Sequence, residues 1–312
     1  MQASSQFRRR GQTKIRLPGW EQNIVPWATR GERAYAVDPI ANHQCEIPAK
    51  WSHAQETLEK KSDSIRLLSF NIQVGIKTSA YRQYFTKGWK HVLPHVNQVK
   101  NLKRIAKVVG EYDIVALQEV DGGSIRSGFV NQVEFLAKLA HFPYWYAQLN
   151  RDLGPLAQHG NGLLSRIKPL GLEDHKLPGA IPGRGAVIAR LPYAGEELVV
   201  VMLHLSLGDR SRCRQLAYIA ERISHERRVI VMGDMNTPAT DLMDSSPLKN
   251  LDLTLPDASA LTYPAWRPSH ALDHILVSPH LEVNEYEVLG HRISDHLPIA
   301  IEVTTRAHAA VH

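Results

Sequence analysis

The sequence predicts an α/β fold in which mixed β-sheets are covered by helices on the outside. Short apolar runs of the kind found in buried strands occur at residues 65–70, 113–120, 197–205, 228–234, 272–278 and 297–303. Several neighbouring runs have no helix between them that is long enough for a parallel crossover. The pattern therefore favours mixed sheets over a doubly wound parallel sheet.

Two amphipathic helices are predicted between these strands. The first has an apolar stripe at Val133, Leu136, Ala137 and Ala140. The second has its stripe at Leu216, Ile219, Ala220 and Ile223, a spacing that places all four side chains on one helix face. Asp209 precedes this stripe, and we expect it to cap the start of the second helix.

The chain is expected to form one main domain with a short segment at each end. Residues 1–63 lack a periodic apolar pattern, carry a basic run at 8–16 and contain scattered tryptophans and prolines. This composition predicts a basic N-terminal arm that is partly disordered or wrapped on the core. Residues 64–306 are predicted to form the main domain, and residues 307–312 a short tail.

Composition restricts the partners and the location of the protein. The formal net charge is +6, which favours anionic partners such as nucleic acids, phosphorylated metabolites and lipid headgroups. Cys45 and Cys213 are far apart and lack metal-ligand spacing, so neither a disulfide framework nor a zinc site is expected. No apolar run approaches the about 18 residues of a membrane span. We expect a cytoplasmic protein, with a peripheral membrane location left open.

Polar residues at the ends of the apolar runs are the strongest functional signal. They are Asn71, Glu119, His204, Asp234, Asn236, Asp273, Asp295 and His296. Each one alone has an ordinary structural explanation as a helix cap, a turn residue or a satisfied core histidine. Together they would be costly to bury unless they satisfy one another or a ligand. We therefore expect them to form one site at a sheet edge.

Seven segments, six of which carry these residues, resemble in the same order the signatures of the endonuclease/exonuclease/phosphatase superfamily. They are LLSFNIQVG, DIVALQEV, HGNGLLSR, VMLHLSLG, VIVMGDMNT, LDHILVS and SDHLPIAI. The resemblance extends from about residue 65 to residue 303. It implies a four-layered α/β sandwich, with two mixed β-sheets face to face and helices outside. It also implies metal-assisted hydrolysis of phosphoesters.

The resemblance implies a role for each polar residue near the metal and the attacking water. Glu119 would bind Mg²⁺ or Mn²⁺, and Asp295 would be a second carboxylate on the metal side. Asp234 would orient or deprotonate the attacking water, while Asn71 and Asn236 would hold water, metal or phosphate. Many members have an acid two residues after the first asparagine, where this chain has Gln73, so the number of metal ions and their affinity stay open.

The same resemblance implies groups that contact the phosphate. His296 would contact it, with its ring oriented by Asp273. His204 would donate to a non-bridging phosphate oxygen. Asn161 is expected at the start of a strand, either orienting loops near the substrate or acting as a turn residue. Arg184, in a glycine-rich stretch, would reach the substrate phosphate or simply belong to a hairpin loop.

The substrate is predicted less sharply than the chemistry. Residues 76–95 interleave Tyr81, Tyr84, Phe85 and Trp89 with Lys77, Arg82, Lys87 and Lys90. This mixture suits stacked bases, a lipid headgroup interface or the packing of an outer helix. We favour a phosphodiesterase acting on a lipid or small phosphoester, with an anionic membrane surface as a further partner. An endonuclease or exonuclease acting on DNA or RNA is the alternative, and a non-catalytic binding module on the same scaffold is a third reading.

Overall fold

The computed structural model describes residues 24–25, 35–36, 64–75, 98–152, 156, 158–179 and 183–306. In chain order, the regular elements of these residues are β1 (Ile24–Val25), β2 (Tyr35–Ala36), β3 (Ser64–Asn71), α1 (Gln98–Val109), β4 (Ile114–Asp121), α2 (Gln132–Leu139), β5 (Tyr144–Asp152), β6 (Gln158–Ser165), β7 (Gly171–Lys176), β8 (Gly185–Tyr193), β9 (Glu196–His204), α3 (Asp209–Ile223), β10 (Val229–Asp234), β11 (Asp273–Val277), β12 (Leu281–Val288) and β13 (Ile299–Thr305). Short 3₁₀ or π turns occur at Gln73–Gly75, Ile125–Ser127, Asp241–Ser245 and Pro247–Asn250.

The described strands form two mixed sheets. One has the order β1-β7-β8-β9-β10-β11, and the other has the order β12-β13-β3-β4-β6-β5-β2. Each sheet contains one parallel pair, β9 with β10 and β3 with β4, and the other described pairs are antiparallel. The chain between the strands of these pairs contains α3 and α1, respectively, as a parallel crossover requires. The mixed sheets expected from the sequence are confirmed.

Three apolar clusters show that the layers follow the predicted order. The inner faces of the two sheets pack on each other through side chains such as Leu67 and Ala116 on one side and Met202 and Met232 on the other. Helices α1 and α2 cover the outer face of the seven-stranded sheet. Helix α3 covers the outer face of the six-stranded sheet through Leu216 and its neighbours. The four-layered α/β sandwich is therefore confirmed.

The capping role expected for Asp209 is wrong. The N-cap of α3 is Gly208, which has extended backbone angles, and Asp209 is the first helical residue. Its carboxylate accepts a hydrogen bond from the Arg212 guanidinium rather than from the backbone of the first turn. The helix starts one residue earlier than expected, and Asp209 instead places negative charge near its N-terminus.

The predicted arm lies mostly outside the described residues. Its described parts are β1, which pairs with β7, and β2, which pairs with β5. The division at residues 63 and 306 therefore stays a prediction. The tail 307–312 and the aromatic, basic segment 76–95 also lie outside the described residues. Among the helices of the described chain, none is long and apolar enough to cross a membrane.

Candidate active site

Two rows of polar side chains face each other at one edge of the sandwich. Cross-strand pairing aligns Asn71, Gln118, Asn161 and Gln148 across the seven-stranded sheet. In the six-stranded sheet it aligns Gly185, His204, Asp234 and Asp273. In most of these strands the polar residue lies two positions from an inner apolar residue, because side chains two apart lie on the same face. In β3 the buried Ser69 lies between Leu67 and Asn71. The strand register thus ends the apolar core in a buried polar layer.

Direct hydrogen bonds connect the two rows. Asn71 Nδ2 donates to Asp234 Oδ2 over 3.0 Å, and Asn161 Nδ2 donates to the carbonyl oxygen of Gly185 over 3.2 Å. All of these side chains are buried. A Cβ at Gly185 would collide with the side-chain ends of Asn150 and Gln148, so a larger residue here would displace those two amides. The two sheets therefore hold the amide row against the acidic row at contact distance.

His296 is held by a buried carboxylate. Its Nδ1 lies 2.8 Å from Asp273 Oδ2, and its Nε2 lies 4.0 Å from Asp234 Oδ2. Burial alone would lower the pKa of His296, but Asp273 and Asp234 raise it well above its usual value. The centroid of the Tyr263 ring lies 4.9 Å from that of His296. This arrangement favours a cationic imidazolium with a fixed ring plane.

His204 has the opposite electrostatic environment. Its Nε2 lies 3.4 Å from Asp234 Oδ2 and 4.0 Å from Glu119 Oε1. Arg184 Nη1 contacts the imidazole, with 2.8 Å to Nδ1. Burial, followed by the positive charges of Arg184 and His296, holds the pKa of His204 well below its usual value. His204 is therefore a neutral imidazole beside a guanidinium, and Arg184 belongs to the site although the sequence left a plain hairpin role open.

Glu119 projects from a β-bulge. The pairing of β4 with β6 shifts register between Gln118 and Val120, and Glu119 lies between them with a φ of 56°. A bulge with a left-handed residue re-aims the side chain at that position. The Glu119 side chain is 37% exposed, whereas the other acids of the site are almost fully buried. Glu119 is thus the carboxylate that opens toward solvent.

The donor set of the site fits a hard divalent cation. Burial, with a smaller contribution from the negative charge of Glu119, raises the pKa of Asp234 to about 7 and that of Asp295 to about 6, against the opposing charge of His296. A cation bound beside these carboxylates would stabilise their ionised forms. Ligand atoms of Asp234, Asp273 and His296 also lie within 4.8 Å of one another, so this buried group could hold a metal ion. However, His296 Nδ1 and Asp273 Oδ2 are already hydrogen-bonded to each other, which leaves one nitrogen of His296 and one oxygen of Asp273 for a metal ion.

Two other expected site residues have structural hydrogen bonds. The backbone N–H of Asn236 donates to Asp234 Oδ1, and its side-chain Nδ2 donates to the carbonyl oxygen of Leu205. Asn161 is the fourth residue of β6 rather than its first, so the expected position at a strand start is wrong. Its Nδ2 is shared between Gly185 and Gln148 Oε1, and among the described residues its buried Oδ1 has no hydrogen-bond partner.

Three residues of the site were missed from the sequence. Gln118 and Gln148 complete the amide row, and Gln148 Nε2 donates to Asp174 Oδ1 over 2.5 Å. Period-two alternation in β4 and β5 would have found both, because each follows an inner apolar residue at two positions. Tyr263 gave no comparable signal, since it lies in a loop that only the fold brings against His296.

The chain belongs to the Endonuclease/Exonuclease/phosphatase family, whose sequence model matches residues 68–296. The superfamily resemblance predicted from the motifs is therefore confirmed. Members of this family are typically hydrolases, and they depend on metal ions.

Among its relatives, the Escherichia coli (strain K12) protein called "Uncharacterized protein YbhP" is 29% identical over 264 residues, which cover 77% of this chain and 96% of YbhP. The mannosyl-6-phosphatase Bt3783 of Bacteroides thetaiotaomicron VPI-5482 superposes with a TM-score of 0.59 at 18% identity, covering 77% of this chain and 99% of Bt3783. D. rerio TDP2 complexed with single strand DNA product gives a TM-score of 0.58 at 18% identity, covering 78% of this chain and 100% of TDP2. At these identities the two structures show a shared fold alone.

Proposed function

We propose that the protein is a divalent-metal-dependent phosphoesterase, and specifically a phosphodiesterase acting on a lipid or small phosphoester. The observation that carries this proposal is the row of His204, Asp234 and Asp273 facing Asn71, with His296 beside it. This layer contains a carboxylate that can accept a proton, a positively charged imidazole that can bind a phosphate, and neutral hydrogen-bond donors. The strands hold these groups in fixed positions.

Glu119 and Asp295 would hold the metal ion, because their carboxylates provide the hard oxygen ligands that Mg²⁺ and Mn²⁺ prefer. Asp295 is buried, and the more exposed Glu119 leaves room for substrate and water. A bound cation would act as a Lewis acid on the phosphate and offset charge on the leaving oxygen. Gln73 occupies the position of a further acid in many members, which favours a site with few protein ligands.

Asp234 would orient the attacking water and accept its proton. Asn71 Nδ2 and the backbone N–H of Asn236 donate to its two carboxylate oxygens, which fixes the carboxylate plane. Asp273 holds the His296 ring, and the other nitrogen of that ring lies toward Asp234. His296 would therefore present a positive N–H donor to the phosphate next to the proton acceptor.

His204 and Arg184 would bind the non-bridging phosphate oxygens. Arg184 Nη1 contacts both ring nitrogens of His204, so the guanidinium and the imidazole would meet the same phosphate group. Arg184 supplies further donors suited to an anionic phosphate. Asn161 would contribute to binding through its unpartnered carbonyl oxygen, which can accept from a substrate hydroxyl or a water.

The fold neighbours do not decide the substrate. One acts on a mannosyl 6-phosphate and another is complexed with a single strand DNA product, so the scaffold suits both small phosphoesters and nucleic acids. Our preference for a lipid or small phosphoester rests on the sequence, because the loop after Glu119 is short and lacks the long basic insertion expected for duplex DNA. The segments HGNGLLSR and LHLSLGDRSRCRQL also resemble bacterial and lipid-directed members more than abasic-site nucleases. A membrane-peripheral cytoplasmic location is part of the same proposal.

A substrate panel tests the proposal. Full-length protein would be assayed with bis-p-nitrophenyl phosphate, a sugar phosphate, inositol phosphates, phospholipid vesicles, and single-stranded and duplex DNA, each with Mg²⁺ or Mn²⁺. Asp234→Ala is the matched control for contaminating activity. We expect metal-dependent hydrolysis of at least one phosphoester that Asp234→Ala lacks. Cleavage confined to DNA would replace the lipid proposal with the nuclease alternative, and equal rates for both proteins would refute the assignment.

A further inference from the structure

A left-handed turn directly follows the catalytic strand β3. Gln73, Val74 and Gly75 have consecutive φ values of 44°, 56° and 69°. A β-branched residue such as Val74 rarely adopts this conformation, which costs about 1–3 kcal/mol unless the surroundings impose it. The turn therefore needs an external restraint.

Three buried side-chain amides provide that restraint. Gln98 Nε2 and Gln132 Nε2 each donate to the carbonyl oxygen of Val74 over 2.7 Å. Asn101 Nδ2 donates to the carbonyl oxygen of Gly75 over 3.2 Å. Gln98 and Asn101 belong to α1 and Gln132 to α2, so two packed helices hold the turn. We call Gln98, Asn101 and Gln132 the amide clamp.

Gln132 also reaches the segment after Glu119. Its Oε1 accepts the backbone N–H of Asp121 over 2.9 Å. The Asp121 carboxylate in turn accepts bonds from Gly123, Ser124 and Ser127, which fix the following loop. The single amide of Gln132, which is fully buried, thus joins the turn after Asn71 to the bulge that carries Glu119.

The turn in its observed conformation also sets the orientation of Asn71. The backbone N–H of Gln73 donates to Asn71 Oδ1 over 3.1 Å. Because that oxygen is engaged by the turn, the Nδ2 of Asn71 faces Asp234 as a donor. A relaxed turn would release Asn71 Oδ1 and allow the amide to rotate, which would place an oxygen against the Asp234 carboxylate.

We propose that Gln132 is a positioning residue that couples the metal-side carboxylate Glu119 to the Asn71–Asp234 pair, with Gln98 and Asn101 assisting. The inference rests on the proposed function, in which Glu119 holds the metal and Asp234 accepts the proton. Partners that orient ligating residues from outside typically change metal affinity or activity by about 10–100-fold when they are removed. A residue with a merely structural role would change stability without changing either.

Gln132→Met tests this, because it keeps the length of the side chain and removes both hydrogen bonds. Leu136→Val is the matched control, since it lies one turn further along α2, is fully buried and belongs to the core. Mn²⁺ affinity would be measured by titration calorimetry on full-length protein, and kcat and KM with bis-p-nitrophenyl phosphate. We expect Gln132→Met to weaken Mn²⁺ binding about ten-fold or more and to lower kcat by a similar factor, with KM little changed. We expect Leu136→Val to match the wild type in all three quantities.

The outcomes separate the inference from the function on which it rests. Wild-type protein that neither binds Mn²⁺ nor hydrolyses any phosphoester refutes the proposed function, and with it the inference. Wild-type protein that binds Mn²⁺, together with a folded Gln132→Met variant of unchanged affinity and kcat, overturns the inference alone. If Gln132→Met does not fold, the same measurements on Gln98→Met test whether the amide clamp affects the metal site. This variant removes one of the two donors to Val74 and leaves the link to Asp121. Weaker Mn²⁺ binding by Gln98→Met supports the clamp, and unchanged binding overturns it.

Discussion

Asn71→Asp should convert a stabilising contact into a repulsive one without changing side-chain size. In the wild type, Asn71 Nδ2 donates to Asp234 Oδ2 over 3.0 Å, and both side chains are almost fully buried. The substitution places a second carboxylate oxygen at that position. The two groups cannot both stay ionised at this distance without a large loss of stability.

The size of the effect follows from the separation. Two unit charges about 3 Å apart repel by about 5 kcal/mol at an effective dielectric constant of about 20. Binding one proton instead costs about 4 kcal/mol at pH 7, given an ordinary aspartate pKa of about 3.9 and about 1.4 kcal/mol per unit. The folded variant would then hold a proton that the unfolded chain releases above about pH 4. The wild type loses stability in the same way up to about pH 7, because its buried Asp234 has a pKa of about 7. The second carboxylate of the variant raises the pKa of the pair above 7, so the free energy of unfolding of the variant should keep falling above pH 7, where that of the wild type levels off.

Urea unfolding between about pH 5 and 9, in EDTA to remove metal, measures this dependence. Asn71→Ala is the control, because it deletes the hydrogen bond without adding a charge. We expect the free-energy difference between Asn71→Asp and Asn71→Ala to grow by about 1.4 kcal/mol per pH unit above about pH 7, and phosphoesterase kcat of Asn71→Asp to fall on the order of 10²-fold. The reasoning is refuted if the two variants lose stability in parallel with the wild type at every pH.

Three further predictions concern metal, the histidine and the substrate. Hydrolysis should stop in excess EDTA and collapse in Glu119→Gln, because the site loses an anionic ligand; full activity in EDTA would contradict this. Asp273→Asn should lower kcat on the order of 10²-fold or more, because the His296 ring loses its charged partner. Circular dichroism should show that the fold is retained, and an unchanged kcat would mean that the Asp273–His296 pair has only a structural role. Tyr84→Ala and Trp89→Ala should weaken co-sedimentation with anionic vesicles across a salt series. Steeply salt-dependent DNA binding without vesicle association would instead favour a nuclease.

The fold was predictable because its strands are fully apolar on one or both faces. The six runs recognised in the sequence correspond to β3, β4, β9, β10, β11 and β13. All of these except β11, which lies at the edge of the six-stranded sheet, are inner strands. Strand β12 was missed because it alternates exposed polar residues with partly buried ones, as an edge strand does. Sheet order was not predictable from one sequence, since the pairing of β4 with β6 depends on contacts distant along the chain.

The proximity of the site residues was predicted, and so was the pairing of His296 with Asp273 that favours a cationic imidazole, but the environment of His204 was not. The sequence indicated that His204 and His296 approach the same phosphate, and the structure places both within 4.0 Å of Asp234. Their pKa values shift in opposite directions, because His296 faces Asp273 while His204 faces Arg184. Arg184 comes from another part of the chain, and its contact with His204 cannot be inferred from spacing along β9.

The register of the sheets explains why the chemistry is confined to one edge. In β9, Leu198, Val200 and Met202 line the inner face before His204, and in β10, Ile230 and Met232 do so before Asp234. A slip of one residue in either strand would turn the polar group to the helix-covered face and an apolar residue into the site. The apolar layer directly beneath also excludes water, which strengthens the interactions among the charges above it. The core thus determines the position of the site groups and the dielectric environment in which they act.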